Sequence, residues 1–130
     1  MSFIKSHQKL EVWIKSMELA VELYNVTESF PVKEQYSSVS QLRRAGSSIP
    51  SNISEGAARD SNKEYIRFLY IALGSCAEVD TQVQLCQRVG LIPKGIGDDL
   101  VQKIDEVYRI LNGLIRYRKS LLEEKEKRRK

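Results

Sequence analysis

Four stretches of the chain carry apolar residues at the three- and four-residue spacings of an amphipathic helix. The first helix is predicted to span about residues 7 to 29, and Pro31 stops it. It has two apolar lines. The first is Leu10, Trp13, Ile14, Met17, Ala20, Val21 and Tyr24, and the second is Val12, Leu19, Leu23 and Val26. This helix therefore has more apolar surface than one packing neighbour needs.

The second helix contains a proline. From Val39, apolar or small residues recur every three or four positions, at Leu42, Gly46, Ile49, Ile53 and Gly56. Pro50 removes one hydrogen bond and crowds the carbonyl four residues back, that of Gly46, where the missing side chain leaves the backbone room to shift. The spacing predicts a continuous, kinked helix that ends near Gly56 to Ala58, with a break at Pro50 as the alternative.

The third and fourth helices have clear boundaries. Ser61 and Glu64 fit a capping box, and Gly90 and Pro93 end the third helix. Its predicted core face is Tyr65, Phe68, Leu69, Ala72, Cys76, Val79, Val83 and Cys86, and its second apolar line is Ile66, Tyr70, Leu73 and Ala77. The fourth helix is predicted to begin between Lys94 and Asp99 and to fade into a charged tail after Leu122. Its apolar stripe is Leu100, Ile104, Val107, Leu111, Leu114 and Ile115.

No stretch alternates apolar and polar residues as a strand would. The sequence therefore predicts an all-α fold, an antiparallel up-and-down four-helix bundle over residues 1–122 with a basic C-terminal tail over 123–130. Cys76 and Cys86 are ten residues apart in one predicted helix, about 15 Å, which is beyond disulfide reach. We expect buried apolar thiols, with a metal or redox role as the alternative.

Charge is unevenly distributed. Residues 109–130 carry nine Lys or Arg against three Glu, so this segment has a net charge of +6 in a chain of net charge +4. A basic tail suits nucleic-acid binding. The alternative is a solvated helix end whose cations complement the helix dipole.

The sequence lacks the residues that several classes of function require. His7 is the only histidine, no Glu-x-x-His pair occurs, and the glycines form no phosphate-binding loop. We therefore expect no enzyme activity, no cofactor and no metal. The chain has neither a secretory leader nor an apolar run of about 18 residues, which predicts a cytoplasmic protein with no membrane contact.

Clustered cations are the candidates for nucleic-acid contact, because arginine binds phosphate bidentately. They are Arg43, Arg44, Arg59, Lys63, Arg67, Arg116, Arg118 and Lys119. The structural alternative is that Ser and Asn side chains satisfy the carbonyl that Pro50 frees, while Arg and Glu form intersubunit or i, i+4 ion pairs. The positions expected to shape the second helix are Gly46, Pro50, Asn52, Glu55 and Gly56.

One resemblance covers Leu10 to Tyr117. The motifs are "QLRR" from Gln41, "SIPSNI" from Ser48, Glu55-Gly56, Glu64-Tyr65, Phe68-Leu69, Gly74-Ser75 and Glu78. With these the chain resembles the four-helix-bundle family of proteins encoded by intervening sequences in bacterial 23S rRNA genes, once mistaken for a ribosomal protein. Gly46-Ser47 and Val79-Asp80 depart mildly from the family pattern. The tail after Tyr117 lies outside it.

The resemblance implies a ring-like homopentamer, which would cover the second apolar lines of the first and third helices. The family is also similar to accessory proteins of diversity-generating retroelements, which are basic pentameric barrels that bind nucleic acid and a reverse transcriptase. No enzymatic activity is established for it. The expectation is a non-enzymatic homo-oligomer that binds RNA or another nucleic acid. The alternative is a scaffold that docks a protein partner without binding nucleic acid.

Overall fold

The computed structural model describes residues 5–129. Residues 1–4 of the predicted bundle domain and Lys130 of the predicted tail lie outside the described residues. The four helices are α1 (Glu11–Thr27), α2 (Ser40–Ala57), α3 (Asn62–Arg88) and α4 (Lys94–Arg129). A 3₁₀ turn precedes α1, and a 3₁₀ turn followed by a π-helical turn leads into α2; these are Ser6–Lys9, Val32–Glu34 and Gln35–Val39. Residues 5–129 contain no strand.

Each helix packs against the next along the chain, and α1 closes the bundle against α4. Short connections make neighbouring helices antiparallel, so the predicted antiparallel up-and-down four-helix bundle is confirmed. We call the end that holds the turn of residues 58–61 the α2–α3 end. The opposite end, which holds residues 28–39, is the α1–α2 end.

The predicted core faces of α2, α3 and α4 point inward. All eight residues of the α3 face are buried, as is the line of α2 from Val39 to Gly56. On α4 the predicted stripe is buried except for Leu114, which is half-buried. On these three helices the apolar spacing alone identified the core.

The two apolar lines of α1 face the opposite way from the expectation. Val12, Leu19 and Leu23, assigned to the surplus surface, are buried, and most of the other line is exposed. The exposed fractions are Ile14 43%, Met17 39%, Val21 56% and Tyr24 46%. The second line of α3 is mixed: Ile66 is buried and Leu73 half-buried, whereas Tyr70 and Ala77 are exposed.

Two buried hydroxyls explain the reversal on α1. Ser16 and Thr27 lie on the inner line and are buried. The hydroxyl of Ser16 donates to the Trp13 carbonyl at 3.0 Å, and that of Thr27 donates to the Leu23 carbonyl at 2.7 Å. Because these short side chains are satisfied by their own helix, they are accommodated in a core that their polarity seemed to exclude.

Helix α2 runs without a break through Pro50, so the alternative of two separate helices is wrong. The kink stays a prediction. Gly46 also lies at the contact of α1 with α2, because a Cβ there would lie 2.7 Å from Leu23 Cδ1 and the end of that side chain would have to shift. Asn52 Nδ2 donates to the carbonyl of Ser48 at 2.8 Å, not to that of Gly46, which corrects the expectation that it compensates the proline.

The helix ends agree in part with the sequence. Ser61 Oγ accepts from the Glu64 amide at 3.1 Å, but the Glu64 carboxylate pairs with Arg67 at 3.0 Å instead of closing the capping box. Gly90, with φ of 84°, ends α3, and the amide of Leu91 donates to the Cys86 carbonyl. Helix α4 continues to Arg129, so its predicted end after Leu122 is wrong. The domain division at residue 122 stays a prediction.

Candidate nucleic-acid interface

The eight candidate cations do not form one surface. Arg43 and Arg44 lie in the first turns of α2, at the α1–α2 end. Arg59 follows Arg43 by 16 positions, about 24 Å at the rise of an α-helix. It belongs to the α2–α3 end, as do the five others, Lys63, Arg67, Arg116, Arg118 and Lys119. The cations that the sequence analysis groups as clustered candidates are therefore split between the two ends of the bundle.

Arg43 is bound within the chain. Its Nε donates to the hydroxyl of Thr27 at 2.9 Å, and one terminal nitrogen reaches the Tyr24 carbonyl and the Glu28 carboxylate, each at 3.2 Å. Its guanidinium carbon lies 4.6 Å from the centroid of the Tyr24 ring. These contacts fasten α2 to the last turns of α1 within one chain, whereas the sequence had offered intersubunit or i, i+4 pairing. Arg44 beside it is exposed.

The α2–α3 end contains a pocket of about 310 Å³, which we call the Arg118 pocket. Its lining residues are Arg59, Asp60, Ser61, Asn62, Lys63, Tyr65, Arg118, Leu122 and Lys125. Four cations and one acid therefore surround a space at the lower limit of typical ligand pockets, roughly 300 Å³. Three of the cations, Arg59, Lys63 and Arg118, are sequence candidates.

Arg118 is the most closely held of these cations. Its guanidinium carbon lies 4.4 Å from the centroid of the Tyr65 ring and 5.8 Å from that of Tyr117. One terminal nitrogen donates to Asn62 Oδ1 at 3.1 Å. Its Nε is shielded from solvent and finds no hydrogen-bond partner among residues 5–129. The phenol of Tyr65 is partly desolvated, and this burial raises its pKa, while the positive charge of Arg118 acts in the opposite direction.

Cations also cover aromatic rings along α3 beside this pocket. The guanidinium carbons of Arg59 and Arg67 lie 4.9 and 4.7 Å from the centroid of the Phe68 ring. Lys119 Nζ lies 5.0 Å from the centroid of the Tyr70 ring. Arg59 also pairs with Glu55 at 3.1 Å, the i, i+4 ion pair that the sequence offered as the structural alternative. The α2–α3 end therefore interleaves positive charge with aromatic surface.

Asn62 and Tyr65 were missed as members of a site, and Lys125 was predicted only as part of the basic tail. A signal was present, since residues 118, 122 and 125 share one face of α4 and residues 62–65 begin α3. The exposed Arg116, two residues before Arg118, lies about 200° around the helix and does not line the pocket.

A second surface is apolar. The exposed line of α1 borders a groove of about 450 Å³ between α1 and α2, with Trp13, Met17, Val21 and Tyr24 on one side and Pro50 on the other. Serines 47, 51 and 54 edge this groove, and its lining residues include no Lys, Arg, Asp or Glu. This face suits an apolar partner surface and not a phosphate backbone.

The remaining chemistry is limited. Among residues 5–129, no group of three or more His, Cys, Asp or Glu is placed to hold a metal ion. Both cysteines are buried and unpaired, and burial raises the pKa of Cys76 to about 12, so its thiol is a poor nucleophile at neutral pH. No described helix is long and apolar enough to span a membrane.

These features define a class of protein: a helical bundle with one basic end and one apolar face. The chain belongs to the family of 23S rRNA-intervening sequence proteins, whose family model matches residues 8–113, and this confirms the resemblance. It is similar to a protein of unknown function from the S23 ribosomal protein family of Bacteroides thetaiotaomicron, with 30% sequence identity. That similarity spans 80% of this chain and 97% of the other, with a TM-score of 0.74. No curated protein matches the chain at a significant level.

Proposed function

We propose that this protein is a non-enzymatic, cytoplasmic homo-oligomer that binds RNA or another nucleic acid at the α2–α3 end of the bundle. The observation that carries the proposal is the convergence of Arg59, Lys63, Arg118 and Lys125 on one pocket that contains a single acid, Asp60. Positive charge gathered in this way attracts phosphate backbones regardless of sequence.

The C-terminal part of α4 adds to this charge. Arg118 donates to Asn62, the first residue of α3, so residues 119–129 run roughly 16 Å beyond the start of α3. Residues 123–129 are all exposed. They therefore extend the basic surface as a helix instead of the predicted tail, and a helix presents its charges at fixed spacing.

The exposed line of α1 supports self-association. Ile14, Met17, Val21 and Tyr24 form an apolar stripe beside a groove without Lys, Arg, Asp or Glu, and a second copy of the chain would cover it. We propose the pentamer that the family resemblance implies. In a ring, several basic ends would act together, and weak phosphate contacts would gain affinity through multivalency.

The experiment compares two triple charge reversals that change net charge equally. One carries Lys127→Glu, Arg128→Glu and Arg129→Glu in the last turn of α4. Its matched control carries Lys33→Glu, Arg44→Glu and Arg88→Glu at exposed positions of the α1–α2 end. Binding to a labelled single-stranded RNA is followed by fluorescence anisotropy over a salt series, and light scattering gives the oligomer size of each sample.

We expect wild-type affinity to fall linearly with log salt, and the α4 variant to lose about tenfold while its control loses less than about threefold. No binding at low salt, or equal losses in both variants, would overturn the proposal.

A protein-docking scaffold is the second candidate, because the groove between α1 and α2 could receive an apolar segment of another protein. Val21→Glu separates the two ideas, since Val21 is the most exposed member of the stripe, at 56%. If the stripe mediates self-association, Val21→Glu gives a smaller particle than wild type by light scattering. An unchanged oligomer size would favour the scaffold.

A further inference from the structure

We propose that the Arg118 pocket holds one phosphate group of a bound nucleic-acid strand, with Arg118 as the positioned ligand. This inference rests on the proposed function and goes beyond it. The rest of the basic end attracts the strand by charge alone, whereas the pocket would fix one phosphate in place.

The fixed orientation of Arg118 is the first argument. Its guanidinium lies against Tyr65 and is held by Asn62, so the side chain keeps little rotational freedom. A buried N–H donor without a partner is unfavourable, and the Nε of Arg118 has no partner among residues 5–129. Arg118 thus lines the pocket with a guanidinium held in one orientation, and arginine binds phosphate through two parallel N–H groups.

The surrounding charges are the second argument. Arg59 comes from the turn before α3, Lys63 from the start of α3 and Lys125 from α4, so the cations approach from two sides. Asp60 is the one acid of the lining. The pocket also lies at the positive end of the α3 dipole, which favours an anion there.

The covered ring of Tyr65 favours a phosphate over a nucleic-acid base as the group that the pocket binds. Single-stranded nucleic acids bind many proteins by stacking bases on exposed aromatic faces. Here Arg118 covers a face of the Tyr65 ring, and Tyr65 as a whole is only 6% exposed. A base has no open aromatic face to stack on, so the pocket suits the backbone.

The first test compares Arg118→Gln with Arg116→Gln. Both variants remove one charge from the same turn of α4, but Arg116 points away from the pocket. Each is titrated with the labelled RNA, once with a 5′-phosphate and once with a 5′-hydroxyl. We expect Arg118→Gln to weaken binding about tenfold and to lower the salt slope by about one, against roughly twofold weakening for Arg116→Gln.

The two RNA forms identify the source of the phosphate. Tighter binding of the 5′-phosphorylated RNA, lost in Arg118→Gln, would assign a terminal phosphate, and equal binding would assign an internal phosphodiester. Equal weakening by both variants would overturn the pocket but leave the proposed function intact, since charge alone would then account for binding.

A second measurement does not require nucleic acid. Inorganic phosphate is titrated into the wild-type protein while NMR follows the Nε–H signal of Arg118, with sodium acetate as the competing planar anion. We expect saturable shifts with phosphate that are weaker with acetate and that weaken in Lys63→Gln and Lys125→Gln. Lys63 and Lys125 are exposed, so these variants should fold normally. An unmoved Arg118 signal would overturn the inference.

Discussion

Two arginines of this bundle lie against tyrosine rings at nearly the same distance, but they differ in how their hydrogen-bond donors are used. Arg43 lies 4.6 Å from the Tyr24 ring at the α1–α2 end, and Arg118 lies 4.4 Å from the Tyr65 ring at the α2–α3 end. The donors of Arg43 are used inside the chain by a hydroxyl, a carbonyl and a carboxylate. Arg118 has a buried Nε that finds no partner in the part of the chain that the structure describes.

The difference shows that an aromatic contact alone does not assign a role to an arginine. Where the chain itself supplies acceptors, the arginine joins helices. Where the arginine lines a basic pocket and fewer of its donors are used within residues 5–129, we propose that it serves a ligand. We therefore propose that Arg43 serves stability and that Arg118 serves binding.

The largest effect is expected at Gly56, near the tyrosine that supports Arg118. A Cβ there would lie 2.9 Å from Phe68 Cβ and 3.2 Å from the Tyr65 carbonyl oxygen, neither of which can move away cheaply. Gly56→Ala should lower the free energy of unfolding by about 2–3 kcal/mol, the upper range for overpacking. Urea unfolding measures this loss in the free energy of unfolding, at one fixed protein concentration because the stability of an oligomer depends on concentration.

Gly46→Ala is the matched control. Its Cβ would meet only the end of the Leu23 side chain, which can rotate, and alanine favours a helix by up to about 1 kcal/mol over glycine. We expect a loss of about 1 kcal/mol or less. An equal or larger loss at Gly46 would mean that the α1–α2 contact is the less tolerant of the two.

The next effect concerns Arg43. Arg43→Ala should lower the free energy of unfolding by about 2 kcal/mol, because charged hydrogen bonds in a half-buried site are worth about 1.5–3 kcal/mol. The exposed neighbour variant Arg44→Ala should stay within about 0.5 kcal/mol of wild type. Chemical unfolding is measured beside RNA affinity. A tenfold loss of affinity at unchanged stability would instead move Arg43 into the binding site.

The sequence predicted best where apolar spacing was unambiguous. All eight residues of the predicted α3 core face are buried, because they are apolar and the helix ends carry a serine cap and a glycine stop, although Ile66 of the second line is buried as well. On α1 the same method failed, because Ser16 and Thr27 interrupt the inner line while the outer line is uninterrupted and apolar. Burial there depends on hydrogen bonds back to the helix, which apolar spacing does not reveal.

The end of α4 and the pocket illustrate two further limits. Charged residues after Leu122 suggested a tail, but Glu, Lys and Arg are good helix formers, and Glu123 and Glu124 each precede a cation by four positions. The cations of the pocket could be named individually. Their grouping could not, because it depends on Arg118 meeting Asn62, 56 positions away in the chain.

The smallest effect is expected where α1 meets α4, and it contrasts with Arg43. Lys15 pairs with Glu106 at 2.9 Å, and this bond to Lys15 holds the pKa of the Glu106 carboxyl below its usual value of 4.5. A carboxyl with a lowered folded-state pKa stabilises the fold above its ordinary pKa, and the contribution is lost as pH falls through the lowered value. The two side chains are 32% and 38% exposed, so solvent screens the pair and we expect only a slight change in stability over that range.

Carbon-13 NMR titration of Glu106 measures this directly, with Lys15→Met as the variant that should return its pKa to the ordinary value. High salt separates the two kinds of contact. Screening should raise the pKa of Glu106 toward 4.5 and remove the effect of Lys15→Met, while the loss caused by Arg43→Ala persists, because Arg43 is shielded and also bonds to a hydroxyl and a carbonyl. If salt erased the Arg43 effect too, the arginine would act mainly through its exposed ion pair with Glu28, and its assignment as the joint between α1 and α2 would fail.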